Sequence, residues 1–275
     1  MRDPLVLATA LFLAFGKFLL AGLWLSVIAL AGLGRRRVYR VLYDREQLRD
    51  ELLASWVIPL DGLAFVACLG LGLLRPAPPT WGASVLTFIV LYVFFEIWFY
   101  GTHRLMHTRL LWPIHAAHHR ALVTASTSGL RFSLAEKLVL TLGSVGFAAA
   151  ASHVLPVTLP GLLAFFVVYY SESILGHSNV EIMPAGLVRS PLGRVVGSTT
   201  FHALHHSRFS GHYGLTTPLL DYIFGTVFPD YPEVQERAAR GEGLERLTER
   251  LTASPADGRR TAAAVPGSPP SHPAG

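Results

Sequence analysis

The chain has 275 residues, 51 % of them hydrophobic and only 15 % charged, well below the quarter expected of a soluble globular domain. Net charge is +5, mean hydropathy is +0.43, and the apolar residues fall in runs rather than being spread along the chain. A disordered chain, a coiled coil and a disulfide-stapled secreted domain are excluded, which leaves an all-α polytopic membrane bundle.

A bilayer core about 30 Å thick needs roughly 20 apolar helical residues. Residues 4–33 exceed that and carry only Lys17 as a charge. No small-residue cleavage site followed by a polar chain comes after them, so the run reads as a retained span rather than a signal peptide. Residues 38–53 read as a polar, partly amphipathic connector. Further apolar runs cover residues 56–74, interrupted by Pro59 and Asp61, then 81–100, 138–155 and 157–175. Four to five spans result, the last two forming a hairpin. Residues 184–230 are mixed and predict helices lying against the membrane. Residues 232–251 have helical periodicity with many Glu and Arg, as a solvated helix does. From Thr252 onward Ala, Pro, Gly and Ser predict a disordered tail. No solenoid repeat occurs, and Cys68, the single cysteine, reads as a small hydrophobe inside an apolar run.

Arginine supplies all the basic residues except Lys17 and Lys137. The arginines flank apolar runs, where they orient helices in a bilayer, so the positive balance does not indicate nucleic acid as a partner. Arg35, Arg36, Arg37, Arg40, Arg45 and Arg49 crowd residues 34–55, and residues 101–137 are also basic, whereas the opposite loops hold little beyond Arg2 and Arg75. Positive charge on the inner side therefore predicts an outside N-terminus, with residues 34–55, 101–137 and 176–275 in the cytoplasm.

Of twelve histidines, His153 falls in the opposite turn and His272 in the tail. The others sit on the predicted cytoplasmic side. His103 and His107 are four apart, His115, His118 and His119 spell HxxHH, and His202, His205 and His206 repeat it; His177 and His212 stand alone. Residues three and four apart share a helix face, so such imidazoles can converge on ions. Roughly eight to ten imidazoles suffice for two ions with four or five nitrogens each, but imidazole suits Zn, Fe, Cu and Ni alike. Glu96, Tyr100, His103 and His107 form one helical stripe, in which Glu96 can accept the second ring N–H of a metal-bound histidine. Asp221 is a second candidate of that kind. Asn179, Arg131, Glu136 and Glu181 are weaker, each read first as a local salt bridge or cap.

These stretches, GTHRLMH (101–107), HAAHH (115–119), GHSN (176–179), FHALHH (201–206), HYG (212–214) and LDYIFGT (220–226), resemble the membrane-bound fatty acid hydroxylase and sterol desaturase superfamily in order and separation. The likeness covers about residues 85–230. It implies two irons, with zinc able to substitute, in a cytoplasmic histidine cluster, and O₂ as co-substrate. By position it makes His103, His107, His115, His118, His119, His202, His205 and His206 metal ligands, adds His177 as a further one, and leaves His212, where Asn is common, less defined. Glu96 stands where Asp is usual, Leu220 replaces a frequent Trp, and Ser133 replaces a His in an R-x-H-x-x-E stretch. The division then expected is N-terminal spans (1–80), a hydroxylase-like catalytic region (81–230), and a cytoplasmic helix with tail (231–275).

The activity so implied is O₂-dependent hydroxylation or desaturation of an aliphatic C–H bond in a membrane lipid. The chain carries no flavin, haem or ferredoxin motif, so electrons are expected from separate proteins, a reductase with a cytochrome b5 or ferredoxin type carrier. The expected location is an integral position in a membrane, a bacterial inner membrane by the resemblance. A zinc hydrolase or a metal-handling membrane protein are the alternatives. The first would bring a carboxylate ligand or nucleophile spaced with the histidines, the second a polar path that Lys17, Asp61 and Glu96 do not form.

Overall fold

The computed structural model describes residues 3–252; the expected disordered tail lies outside them from residue 253. Among the described residues eleven α-helices follow in order: α1 (Pro4–Leu30), α2 (Arg45–Ala54), α3 (Leu60–Gly70), α4 (Trp81–Met106), α5 (Trp112–His115), α6 (Leu134–Thr141), α7 (Phe147–Ala151), α8 (Leu159–Gly176), α9 (Thr199–Arg208), α10 (Leu219–Phe224) and α11 (Tyr231–Arg240). Among the described residues there is no β-strand. Five stretches, Pro4–Leu30, Arg45–Gly70, Trp81–Met106, Leu134–Ala151 and Leu159–Gly176, are long and apolar enough to cross a membrane. The protein is an all-α bundle of membrane helices.

The span starts follow from caps. Asp3 accepts from Leu5 N ahead of Pro4, Thr80 from Ala83 N and Thr158 from Gly161 N, each satisfying a free N–H of a first turn. Helix α8 is the central post, with α1 and α4 packed along it. Close approach needs small residues, as membrane helix packing generally does. A Cβ at Gly62 of α3 would come within 2.6 Å of Ala14 Cβ on α1, and one at Gly161 of α8 within 2.5 Å of Ser84 O on α4. The apolar core joins Leu13, Phe65, Leu91, Phe95, Phe165 and Phe166.

Three boundaries differ from the sequence reading. The 38–53 connector contains a true helix, α2, capped by Asp44, which continues through a 3-10 turn (Ser55–Val57) into α3. The fourth span begins at Leu134, because Ser133 accepts from Glu136 N. It also widens into a π-helical turn at Leu142–Gly146. The cause is Trp98 of α4, whose indole donates to Val139 O at 3.0 Å and lies where a Cβ on Gly143 would stand. Helix α11 stops at Gly241, whose φ of 85° suits the left-handed C-terminal position, eleven residues short of the expected end at Leu251.

The cap over one end of the bundle is more enclosed than expected. Helix α9 does not lie on a surface, since every residue except Ser207 is buried. Helix α11 is not simply solvated either: Tyr231, Val234, Gln235 and Ala238 are buried. Backbone bonds bind the basic connector into this cap, Val38 N to Asn179 O, Glu181 N to Arg36 O and Leu244 N to Val38 O. The opposite end is held by Ala77 N donating to Val157 O and by the His153 ring donating to Leu73 O.

Candidate metal centre

The chain brings nine histidines into two groups. His103, His107, His115, His119 and His205 form one, His118, His177, His202 and His206 the other, and within each group one ligand atom per residue lies within 4.8 Å of the rest. All are buried except His107, which is half-buried. The two HxxHH motifs divide in a crossed manner. His115 and His119, four apart, enter the five-membered group while His118 enters the other; His202 and His206 enter the four-membered group while His205 crosses back. On a helix, the residues three and four positions on lie to either side of the first, about 100° apart from each other, which suits one motif to two groups. Only the second motif lies in a single helix, α9. The first is broken between α5 and a 3-10 turn at His118–Arg120.

Hydrogen bonds define the tautomers. The Nδ1–H of His103 donates to Tyr213 O (2.7 Å), of His118 to Arg131 O (2.7 Å), of His177 to Ser173 O (2.5 Å), of His205 to Gly211 O (2.7 Å) and of His206 to Ala121 O (3.1 Å). A carbonyl only accepts, so in a neutral ring the lone pair is left on Nε2. Burial holds the rings neutral: it lowers the pKa of His115 and His118 to about 3, and of His107, His119, His177, His202, His205 and His206 below the usual imidazole range.

Those lone pairs face one another. His177 Nε2 lies 3.1 Å from His118 Nε2, 3.0 Å from His202 Nε2 and 3.2 Å from His206 Nε2, and His202 and His206 are 3.2 Å apart. In the first group His103 and His115 meet at 3.0 Å, as do His119 and His205. Between His177 and both His118 and His206, and between His103 and His115, Nδ1 holds the ring proton on each side, so the facing nitrogens repel and a cation removes the repulsion. The donor set therefore fits two metal ions, and its make-up of imidazoles alone leaves the metal's identity open.

The other expected site residues fall in different places. Glu96 meets no histidine ring; its carboxylate accepts from Thr216 Oγ1 at 2.5 Å. The expected role of holding a ring belongs instead to Glu136, whose Oε1 accepts from His115 Nδ1 at 2.7 Å. Glu136 is one of the weaker candidates in the sequence, read there first as a local salt bridge or cap, because it lies 21 positions along the chain from His115. Ser133 Oγ donates to Ile114 O beside them. Tyr100 contacts Thr226 and Arg104. Asp221 accepts from Tyr213 N, Gly214 N and Thr226 Oγ1, so it shapes the loop whose Tyr213 carbonyl holds His103. The stripe on α4 thus faces this loop through Glu96, Tyr100 and His103.

Asn179 clamps Tyr39, donating to its carbonyl and accepting from its N–H, both at 2.9 Å. Glu181 accepts from Thr200 N and Oγ1 at the start of α9 and so orients the helix that carries His202, His205 and His206. Arg131 contributes its carbonyl to His118. His212, whose role the sequence leaves less defined, stands apart from both groups. Its Nδ1–H donates to Phe201 O, its Nε2 accepts from Phe228 N, and the ring stacks on Phe201 at 3.9 Å. Both nitrogens are spent on the backbone, so His212 braces the cap.

A small cavity opens beneath the groups. His115, His118, His177 and His202 form its roof, Phe99, Phe132, Leu140 and Leu215 its apolar walls, and Glu136 reaches it from α6.

The chain is similar to known proteins. The chain is 27 % identical over 211 residues to very-long-chain aldehyde decarbonylase GL1-7 of Oryza sativa subsp. japonica, covering 74 % of this chain and 32 % of that relative. It is 33 % identical over 154 residues to very-long-chain aldehyde decarbonylase GL1-6 of Oryza sativa subsp. indica, covering 53 % and 24 %. Against very-long-chain aldehyde decarbonylase CER1 of Arabidopsis thaliana it is 27 % identical over 222 residues, covering 77 % and 35 %. The chain thus spans roughly a third or less of the length of these relatives. No solved structure matches. The fatty acid hydroxylase family model matches residues 88–226, which contain both histidine groups. The chain belongs to the fatty acid hydroxylase family.

Proposed function

We propose that this chain is a two-metal membrane oxidoreductase that uses O₂ to oxidise an aliphatic carbon of a lipid. The observation that carries this reading is the pair of imidazole groups whose Nε2 lone pairs oppose one another, beside a small cavity with apolar walls. His103, His107, His115, His119 and His205 would hold one ion, and His118, His177, His202 and His206 the other. Bound iron would supply the electron transfer to O₂ that breaking an unactivated C–H bond demands. In hydroxylation one oxygen atom ends on carbon and the other leaves as water, taking up two electrons and two protons; a separate reductase chain delivers the electrons. The lipid would enter from the bilayer, and the Arg-rich segments favour the cytoplasmic face for the centre.

The protein's own part is orientation and dryness. Backbone carbonyls hold five rings in one tautomer, Glu136 holds His115, and Phe99, Phe132, Leu140 and Leu215 keep water from the reacting carbon. A second reading, removal of the carbonyl carbon from a long-chain aldehyde, is favoured by the names of the relatives above. Purified protein in lipid nanodiscs, analysed for metal, O₂ uptake and lipid products, tests both. Two irons per chain with a hydroxylated or desaturated lipid supports the first reading, and an alkane shorter by one carbon supports the second. Zinc with O₂-independent hydrolysis overturns both.

A further inference from the structure

A ring that binds a metal through one nitrogen is fixed in orientation when its other nitrogen donates to a carbonyl or a carboxylate. Six of the nine rings have that anchor, His103, His118, His177, His205 and His206 on backbone carbonyls and His115 on Glu136. His107, His119 and His202 lack it: among the described residues Nε2 of His107 and Nδ1 of the other two are buried without a partner. His202 is 1 % exposed on the buried helix α9, with the His177 ring centre 4.3 Å away. The other two both belong to the five-membered group.

What packs on them is aromatic. Trp112, the first residue of α5, sets its indole 5.4 Å from the His107 ring centre and 5.4 Å from that of His119. The Phe209 ring lies 5.1 Å from His119 and 5.7 Å from Trp112. Both residues are half-buried. Phe209 is there against the preference of its backbone. It follows the last residue of α9 with φ 66° and ψ −35°, and Ser210 N donates across it to Arg208 O at 2.8 Å. This is a γ-turn of the strained hand, where glycine fits and a bulky side chain is rare. Such strain persists where the surroundings impose it, and it gathers at functional sites. Two residues on, Gly211 gives its carbonyl to His205. One tight turn thus serves two rings of the group, His205 through a carbonyl and His119 through a side chain.

We infer that Trp112 and Phe209 are positioning residues of the five-membered metal site, holding His107 and His119 by ring packing where the other rings of that group are held by hydrogen bonds. Aromatic rings at these separations attract one another beyond the area they bury, and a wide indole set against both imidazoles bars them from turning off the ion. A small side chain in place of either ring leaves an imidazole free to swing its nitrogen away. The effect is confined to one ion, because among the histidines the ring contacts of Trp112 and Phe209 reach His107, His115 and His119, all of the five-membered group. The inference rests on the two-metal reading above and adds the residues that fix the orientation of two of its ligands.

The test loads the full chain in lipid nanodiscs with Co²⁺, a divalent ion that imidazole binds, and counts bound ions per chain against graded chelator. Phe209→Gly and Trp112→Leu are each expected to hold one of the two ions about 10–100-fold more weakly than the wild type, the range found when support of a ligand is lost. The second ion keeps its wild-type affinity. Glycine takes the backbone of residue 209 without strain, so Phe209→Gly keeps the turn and serves where Trp112→Leu fails to fold. Phe209→Tyr and Trp112→Phe, which keep a ring, restore tight binding of both ions. Residues that merely stabilise the cap would weaken both ions together and lower Tm, and that outcome overturns the inference. So does unchanged binding of both ions in Phe209→Gly and Trp112→Leu. Fewer than two ions per chain in the wild type removes the two-metal reading and the inference with it. Two ions in the wild type, with neither affinity altered by the substitutions, removes the inference alone.

Discussion

The two histidine groups are built from similar motifs yet differ in setting. The four-membered group takes His177 from the end of α8, His202 and His206 from α9 and His118 from a turn, and all four rings are buried. The five-membered group takes two rings from the end of α4, and one of them, His107, is half-buried with its Nε2 unpartnered. One group is welded to the central post of the bundle; the other lies where α4 leaves it. The lesson is that equal spacing in sequence gives unequal rigidity, because rigidity comes from the element beneath each ring.

If both groups hold metal, the contrast predicts unequal losses. His177→Ala removes one of four ligands at the welded group and is expected to abolish lipid oxidation and lower metal from about two per chain to one or none. His107→Ala leaves four rings and is expected to cost about 10–100-fold in metal affinity, the range seen when support of a ligand is lost. Metal analysis after dialysis against graded chelator compares them. Equal losses would erase the distinction between the groups.

The pH dependence follows from burial. His115, His118 and His212 keep their neutral form down to about pH 3 when folded, while in the unfolded chain each takes a proton near pH 6.5. Acid therefore favours the unfolded state. Their contribution is fully present above about pH 6.5 and is lost as the pH falls towards 3, at roughly 1.4 kcal/mol per histidine per pH unit. Thermal unfolding in nanodiscs from pH 7.5 to 4 should show Tm dropping steeply below pH 6.5. A flat profile would mean that these rings are reached by water.

His212 sharpens the comparison from outside. His212→Phe keeps the stack on Phe201 but leaves Phe228 N without its acceptor, at a cost of about 1–3 kcal/mol, with metal per chain unchanged. Metal lost at full stability would return His212 to the ligand set. Farther away, Gly143→Ala sets a methyl against the Trp98 indole and should destabilise by about 1–3 kcal/mol, seen as a lower Tm with both groups intact.

Much of the centre was legible in sequence because helical spacing is a local property: His103 with His107, and His202 with His206, share a face whatever surrounds them. Glu136 was undervalued and Glu96 overvalued for the same reason. Glu96 sits on the same helix as His103, and that proximity suggested a contact, but the side chain turns to Thr216. Glu136 reaches His115 only because α6 folds back beside α5. The carbonyls of Tyr213, Arg131, Ser173, Gly211 and Ala121 carry no trace in residue type, since every residue has one.

Composition and periodicity alone determined the helical class, the membrane spans and the residues rich in ligand nitrogens, because apolar runs and helix faces are counted along the chain. Only the tertiary structure decided which imidazole joins which group, that both His212 nitrogens turn to the backbone, and that Glu136 reaches His115. Those outcomes depend on directions in space between segments far apart in the chain, and a linear order holds no angle between them.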